Sequence, residues 1–259
     1  MNLINLRSYL LIAAVLAALS FPALSPAQQS GTPPATSARR AQQQSHEQQL
    51  LTDFADMARF RDADRELAQP APGENRVVFM GDSITEGWDL AKSFPGKPYI
   101  NRGISGQTSP QMLIRFRQDV IDLKPKVVVI LAGTNDIAEN TGPMTLRQSE
   151  GNLASMAQLA RANGIRVVLC SVLPSVLFPW HPQVKNVASR IAALNQWIRP
   201  YAAQHHYVYV DYYSKMKDAA GGLPKNLSHD GVHPTAASYA VMAPLAQAGI
   251  EKALRETGR

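Results

Sequence analysis

The chain has 259 residues, of which 45% are hydrophobic, an ordinary composition for a globular protein that excludes disorder throughout. Lys and Arg outnumber Asp and Glu by 26 to 20, but these charges are scattered and form no aromatic-interleaved basic patch, so nucleic-acid binding is disfavoured. Cys170 is the single cysteine, so no intramolecular disulfide can form, and its apolar neighbours predict a small buried core residue.

The first 27 residues have the features of a secretory signal peptide. Arg7 gives a positive start, residues 8–21 are almost wholly apolar, and residues 25–27 (S-P-A) offer small side chains for cleavage. The apolar run is shorter than the roughly 20 residues that a membrane-spanning helix needs. We therefore expect an exported protein, periplasmic or secreted, with no stable membrane span after cleavage. A retained membrane anchor is the alternative.

Two segments precede the first predicted strand. Residues 28–45 are rich in Gln, Ser, Thr, Pro and Ala, and this composition predicts a flexible tether. Large apolar residues then recur at near-helical spacing from Leu50 to Leu67, so an amphipathic lead-in helix is predicted over residues 46–69. Residues 46–259, including this helix, are expected to form a single domain.

Five apolar runs beyond the lead-in helix predict strands. They are residues 76–81, 99–101, 126–133, 165–173 and 207–211. These runs are continuous rather than alternating, which is typical of strands buried on both faces of a parallel sheet. Helical segments separate them. Their starts are predicted at Ser109 before Pro110, at Thr145 with Gln148 as a capping box, and at Thr235. The alternation predicts a three-layer α/β/α fold with a five-stranded parallel sheet.

Polar and glycine-rich segments follow the first three strands. Ser83 comes directly after the first strand, the run N-R-G-I-S-G-Q-T (residues 101–108) follows the second, and Asn135 follows the third. Because the carboxyl ends of parallel strands share one edge of the sheet, these groups are expected in one crevice. Acyl transfer needs a nucleophilic hydroxyl beside amide groups that stabilise the oxyanion, and these segments supply both.

A base for such a reaction is available in the loop before the last helix. Asp230 and His233 are separated by two residues, and Gly231 and Pro234 predict a turn here. In such a turn the carboxylate can reach back to the imidazole, fix its tautomer and stabilise the imidazolium. Histidine also has an ordinary pKa near working pH, which suits a general base.

These segments resemble the four motif blocks of the SGNH, or GDSL, hydrolases, and they occur in the order of that family. The blocks are G-D-S-I-T at residues 81–85, N-R-G-I-S-G-Q-T at 101–108, G-T-N-D at 133–136 and D-G-V-H-P at 230–234. Ile84 departs from the leucine of the family name. The resemblance is strongest to platelet-activating-factor acetylhydrolase-like proteins and bacterial acetyl esterases, and it implies a flavodoxin-like fold.

The resemblance implies a metal-free serine esterase without a cofactor. Ser83 would be the nucleophile, with Asp230 and His233 completing a catalytic triad. The backbone amides of Ser83 and Gly106 and the side-chain amide of Asn135 would form the oxyanion hole. A small-molecule or glycan ester is the expected substrate, with short acyl groups on carbohydrate favoured. The alternatives are a lysophospholipase or short-chain lipid esterase and, from another class, a non-catalytic carbohydrate-binding or envelope-scaffold protein. The sequence does not indicate an oligomeric state.

Several of these residues also have ordinary structural interpretations. Ser83 could be a helix N-cap. Ser105 is a rival nucleophile, although the chain contains no G-x-S-x-G elbow. Gly103 is expected to provide a positive φ in a turn, while Gly106 could do this and also donate its amide. His229 and His233 have a metal-ligand spacing on a helix, but Gly231 and Pro234 argue against a helix there.

Overall fold

The computed structural model describes residues 35–255, so the predicted signal peptide lies outside the described residues. The chain divides into two units, Met1–Gln43 and Gln44–Arg259. The strands are β1 (Val77–Gly81), β2 (Tyr99–Gly103), β3 (Val127–Leu131), β4 (Arg166–Cys170) and β5 (Val208–Val210). The helices are α1 (Ala35–Thr52), α2 (Arg61–Glu66), α3 (Ser83–Glu86), α4 (Leu90–Ser93), α5 (Ser109–Phe116), α6 (Thr134–Ile137), α7 (Leu146–Ala162), α8 (Val187–Gln204), α9 (Tyr213–Met216) and α10 (Ala236–Arg255).

The five strands form one parallel sheet in the order β2-β1-β3-β4-β5. This is the doubly wound order of flavodoxin-like folds, in which the chain reverses its direction of travel between β1 and β3. The predicted five-stranded parallel sheet is confirmed. Four strands are shorter than the apolar runs that predicted them; β3 and β4, for example, end before the buried loop residues Ala132 and Val172. Strand β2 is longer than predicted, because it continues from Asn101 to Gly103.

Both faces of the sheet are covered, which explains the continuous apolar runs. Alternate residues of β1 point to opposite sides: Val78 and Met80 belong to one core cluster, and Val77 and Phe79 belong to the other. The first cluster includes residues of α5, α7 and α8, and the second includes residues of α10. The sheet is therefore the buried central layer between two layers of helices.

The lead-in segment differs from the prediction. Helix α1 begins at Ala35, inside the segment predicted as a flexible tether, and ends at Thr52, so the predicted helix over residues 46–69 is wrong in its bounds. The early start fits the Ala, Gln and Arg content of this stretch, since these are good helix formers. The helix ends because the Asp53 side chain accepts hydrogen bonds from the backbone N–H groups of Met57 and Ala58 and turns the chain. The domain boundaries within the N-terminal segment stay a prediction.

Helix starts were predicted with mixed success. Thr145 and Gln148 form the expected capping box at the start of α7. The cap of α5 is Thr108, one residue before the predicted Ser109, and Gln111 completes a capping box there. Beyond Phe116 the helix continues as a π-helical turn, Arg117–Ile121.

Between residues 35 and 255, none of the helices combines the length and the apolar character required to cross a membrane.

Candidate active site

Ser83 lies at the junction between β1 and α3, at the carboxyl edge of the sheet. It is the first residue of α3, and the N-cap is Asp82, whose side chain accepts a hydrogen bond from the Ile84 N–H at 2.9 Å. The alternative that Ser83 is a cap is therefore wrong. The hydroxyl of Ser83 is free for other contacts, and its backbone N–H belongs to the first helical turn, where no intrahelical acceptor exists.

A hydrogen-bonded chain joins Ser83 to the loop before α10. Ser83 Oγ lies 3.1 Å from His233 Nε2, across 150 residues of sequence. On the other side of the ring, His233 Nδ1 lies 2.6 Å from Asp230 Oδ2. The loop is shaped for this contact, because Gly231 has a φ of +82° and Asp230 Oδ1 accepts the backbone N–H groups of Val232 and His233.

The charge on Asp230 determines which nitrogen of His233 carries the proton. Partial burial raises the pKa of the Asp230 carboxyl, but the hydrogen bonds from the His233 side chain and from the two backbone N–H groups outweigh it, so the pKa lies well below its usual range. An ionised carboxylate can only accept, and therefore Nδ1 carries the hydrogen. The lone pair of Nε2 then faces the hydroxyl of Ser83, as a general base requires.

The loop of residues 104–108 after β2 (the glycine loop) and the segment of residues 132–136 after β3 (the asparagine loop) are joined by one side chain, Asn140. The Asn140 Nδ2 group donates to Asn135 Oδ1 at 2.9 Å and to the backbone oxygen of Gly106 at 3.0 Å. Asn135 Nδ2 in turn donates one hydrogen to Gln107 O at 3.0 Å. Gly106 adopts a φ of +77°, a conformation that favours glycine. The amide of Asn135 and the peptide plane of Gly106 are thus held by a shared donor.

Trp180 links the asparagine network to the imidazole. Its indole N–H donates to Asn140 Oδ1 at 2.9 Å, and its ring lies 5.7 Å from the His233 ring, centroid to centroid. Sequence reasoning missed both Trp180 and Asn140 as site residues. The next residue, His181, is turned to the backbone, and its Nδ1 lies 2.6 Å from the backbone oxygen of Ala138.

One carboxyl group and one guanidinium group support these loops from inside the domain. Asp136 accepts the backbone N–H of Ser109 at 2.7 Å and also bonds the Ser109 hydroxyl, which ties α6 to α5. Arg115 is fully buried and donates to the backbone oxygens of Gly81 and Arg102, near the ends of β1 and β2. Arg115 therefore connects the end of β1, which leads to Ser83, with the end of β2, which leads to the glycine loop.

Asp82 is a second buried carboxyl group near the site. Its Oδ2 atom has no hydrogen-bond partner within the described part of the chain. Burial raises the pKa of Asp82 to about 7, and the neighbouring Asp136 adds to this rise, while the Ile84 N–H and His233 oppose it. A carboxyl group whose pKa is raised on folding stabilises the folded state below its unfolded pKa, and this contribution is lost as the pH rises through about 7.

Replacing Asp82 by Asn is expected to flatten the pH dependence of stability. In the wild type the free energy of unfolding should fall by about 4 kcal/mol from this group between pH ~4 and pH ~8, since each pKa unit corresponds to about 1.4 kcal/mol. Urea unfolding across this range measures the slope. Asp89→Asn, at the exposed cap of α4, is the matched control and should keep the wild-type slope. Equal slopes for Asp82→Asn and wild type would contradict the expectation.

The structure also bears on several alternatives left open by the sequence. His233 contacts Ser83, whereas Ser105 is exposed and its backbone N–H donates to Glu86 Oε2 at 3.0 Å. The expected positive φ of Gly103 is wrong: this residue is needed because a Cβ atom would lie 2.1 Å from the Glu86 nitrogen. Burial raises the pKa of the Cys170 thiol to about 12, in keeping with a core residue. Within residues 35–255 no group of three metal-ligating side chains occurs.

Known proteins are similar to this chain in both sequence and fold. The sequence profile of the GDSL-like lipase/acylhydrolase family matches residues 79–241. Esterase TesA of Pseudomonas aeruginosa is 33% identical over 187 residues, which cover 66% of this chain and 85% of TesA.

Two solved structures are more similar still in sequence. A GDSL-like lipase from Bacteroides thetaiotaomicron is 48% identical with a TM-score of 0.76, covering 78% of this chain and 100% of its own. A protein from Bacteroides fragilis is 47% identical with a TM-score of 0.77, and the match covers 78% of this chain and 99% of the Bacteroides fragilis chain. The chain therefore belongs to the GDSL-like lipase/acylhydrolase family, and it is a carboxylic ester hydrolase.

Proposed function

We propose that the protein is an exported serine esterase that works through an acyl-enzyme, with Ser83 as nucleophile, His233 as base and Asp230 as the group that orients the base. The hydrogen-bonded chain from Ser83 through His233 to Asp230 supports this proposal most strongly. Export rests on the sequence of the first 27 residues.

The reaction proceeds in two halves. His233 Nε2 takes the proton of the Ser83 hydroxyl while Oγ attacks the ester carbonyl, and the imidazolium then protonates the departing alcohol oxygen. In the second half, His233 takes a proton from water, the hydroxide attacks the acyl carbonyl, and Ser83 recovers its proton as the acid is released. Asp230 stays ionised throughout and stabilises the imidazolium.

The oxyanion that forms in each half is assigned three donors. They are the backbone N–H groups of Ser83 and Gly106 and the second N–H of the Asn135 side chain. One Asn135 N–H is engaged by Gln107 O, which leaves the other available. Donors that are fixed in advance stabilise developing negative charge without reorganising, and this is the usual source of a large rate effect.

Replacing Asn135 by Ala is expected to lower kcat by about 10²- to 10³-fold, because one oxyanion donor is removed. KM should change much less, since the ground-state carbonyl needs this donor less than the tetrahedral intermediate does. Steady-state kinetics with 4-nitrophenyl acetate provides the measurement. A loss confined to KM would argue against an oxyanion role for Asn135.

Replacing Asn140 by Asp is expected to lower kcat by about tenfold to a hundredfold through misplaced donors. The substitution keeps the shape of the side chain and the acceptor for Trp180, but it removes the hydrogens given to Asn135 Oδ1 and Gly106 O. Asn163→Asp, at the exposed end of α7, is the isosteric control. Equal kcat values for Asn140→Asp and the control would show that this network does not position the donors.

The favoured substrates are esters of short acyl groups, chiefly acetyl, with a carbohydrate alcohol. A lysophospholipase or short-chain lipid esterase is the second candidate, and one observation favours it: the loop after β4 exposes the apolar side chains of Val176, Leu177 and Trp180, and the Trp180 ring lies 5.7 Å from the His233 ring. The intact set of triad and amide residues argues against a non-catalytic binding protein, which would not need all of them.

A panel of esters tests the choice between these substrates. Acetylated monosaccharides, lysophosphatidylcholine and 4-nitrophenyl esters of increasing acyl length are compared by kcat/KM, and the products are identified by mass. The carbohydrate proposal predicts the highest kcat/KM with acetylated sugars and a decline with acyl length. A preference for lysophosphatidylcholine would select the second candidate, and binding of glycans without hydrolysis of any ester would select the binding protein.

A further inference from the structure

A cavity lies beside the loop that carries Gly106. It has a volume of about 220 Å³ and is lined on one side by residues of the lead-in segment, among them Phe54, Asp56 and Arg59. The other side is formed by Glu86, Ser105 and Gly106. The mechanism above makes no use of the lead-in residues, so their place in this wall requires its own explanation.

The wall contributed by the lead-in segment is held firmly in place. Three glutamine side chains donate to consecutive parts of its backbone: Gln107 to Ala55 O at 2.8 Å, Gln111 to Phe54 O at 2.6 Å and Gln118 to Met57 O at 2.8 Å. Gln107 and Gln111 are themselves buried. The position of the wall is thus fixed by side chains of the loop that carries Gly106 and of the helical segment that follows this loop.

The cavity also adjoins one of the proposed oxyanion donors. Gly106, a proposed oxyanion donor, is one of its lining residues. Glu86 is three residues after Ser83 in α3, and residues with this spacing share a helix face. Glu86 joins two other lining residues, because its two oxygens accept from the Ser105 N–H at 3.0 Å and from Arg59 at 3.2 Å. A group attached to the ester carbonyl can therefore reach this cavity.

The lining chemistry selects the kind of group that can enter. Phe54 is 39% exposed and offers a ring face, while Asp56, Arg59 and the Ser105 hydroxyl supply polar groups around it. A hydrocarbon chain would shield the Asp56 carboxylate and the Ser105 hydroxyl from water without offering them hydrogen bonds, which is unfavourable. A neutral ring with several hydroxyl groups can place its C–H face on Phe54 and pair its hydroxyls with the carboxylate, guanidinium and hydroxyl groups.

From this combination we propose that the cavity is a sugar subsite that binds the alcohol portion of the substrate, with the lead-in segment as its specificity wall; this inference rests on the esterase mechanism proposed for Ser83. The subsite holds the hydroxylated ring while the acyl carbonyl lies at Ser83. The lead-in segment outside the motif blocks then has a function in substrate selection.

The test compares two acetate esters of primary alcohols, 6-O-acetylglucose and hexyl acetate, which differ chiefly in the hydroxyl groups of the alcohol. The readout is the ratio of their kcat/KM values. Phe54→Ala and Asp56→Asn are each expected to lower this ratio at least tenfold through a higher KM for the sugar ester. Asn is chosen at position 56 because the residue has a φ of +52°, which Asn tolerates. Phe54→Tyr should restore the ratio, since it keeps the ring.

Leu51→Ala is the matched control, because Leu51 lies on α1 next to the cavity residues, is 82% exposed and does not line the cavity. It should retain the wild-type ratio. Unchanged ratios in both cavity variants, or equal losses on the two esters, would overturn the sugar subsite. Failure of the proposed Ser83 mechanism is recognised separately: in that case Ser83→Ala would hydrolyse hexyl acetate as fast as the wild type does.

Discussion

Ser83→Ala is expected to lower kcat for ester hydrolysis by on the order of 10⁶-fold, the scale on which removal of a triad nucleophile acts in serine hydrolases. The change removes the only atom that bonds the acyl group, so no acyl-enzyme can form, and the residual rate reflects binding and the oxyanion donors alone. The fold should be unaffected, because the helix cap is provided by Asp82 and not by Ser83. Steady-state kinetics with 4-nitrophenyl acetate measures the loss.

Ser105→Ala is the control for this prediction. Ser105 lies in the neighbouring glycine loop and is exposed. Its hydroxyl is assigned no role with small aryl esters, so the variant should stay within a few-fold of wild-type kcat. The reverse pattern, with Ser105→Ala inactive and Ser83→Ala active, would show that Ser105 is the nucleophile and that the assignment of Ser83 is wrong.

Asp230→Asn is expected to lower kcat by about 10⁴-fold with little change in KM, by analogy with the same exchange in serine proteases. An amide at this position can donate to His233 Nδ1 and so moves the ring hydrogen to Nε2, where the lone pair is needed for Ser83. The loop itself should persist, because the remaining oxygen of Asn can accept the backbone N–H groups of Val232 and His233.

A second loop of the chain provides a matched control for Asp230→Asn. The Asp218 side chain accepts the backbone N–H groups of Ala220 and Gly222 in a similar turn, but it contacts no imidazole. Asp218→Asn should therefore keep wild-type kcat. If Asp230→Asn were equally active, Asp230 would have only a structural role, and the tautomer argument would be wrong.

The sheet and the nucleophile turn were predictable because they depend on local sequence. Runs such as residues 127–131 consist of Val, Ile and Leu, which favour strands buried on both faces, and the order of strands and helices leaves few topologies. The pairing of Asp230 with His233 was equally accessible, since both residues lie in one turn and only local geometry brings them together.

The supporting network was not predictable, because its residues meet only after the sheet has formed. Asn140 follows the G-T-N-D block by four residues, and nothing in its local sequence indicates that it contacts both Asn135 and Gly106. Trp180 lies on the loop after β4 and reaches the site across 53 residues of sequence to His233. Such contacts depend on how separate loops pack, which residue spacing does not encode.

Gly103 shows the same limit at the level of one residue. Glycine in a polar run predicts a turn, and a positive φ was expected. In the structure it ends β2 in an ordinary conformation, and its lack of a side chain lets α3 approach the sheet. The reason for the glycine is a close contact with a distant part of the chain, which cannot be distinguished from turn formation by sequence alone.

Covalent labelling tests the identity of the nucleophile most directly. The wild-type protein is treated with a serine-reactive fluorophosphonate, digested, and mapped by mass spectrometry. The account predicts a single adduct on Ser83, formed at a rate that falls strongly in Asp230→Asn. An adduct on Ser105, or full esterase activity in protein whose Ser83 has been replaced, would contradict it.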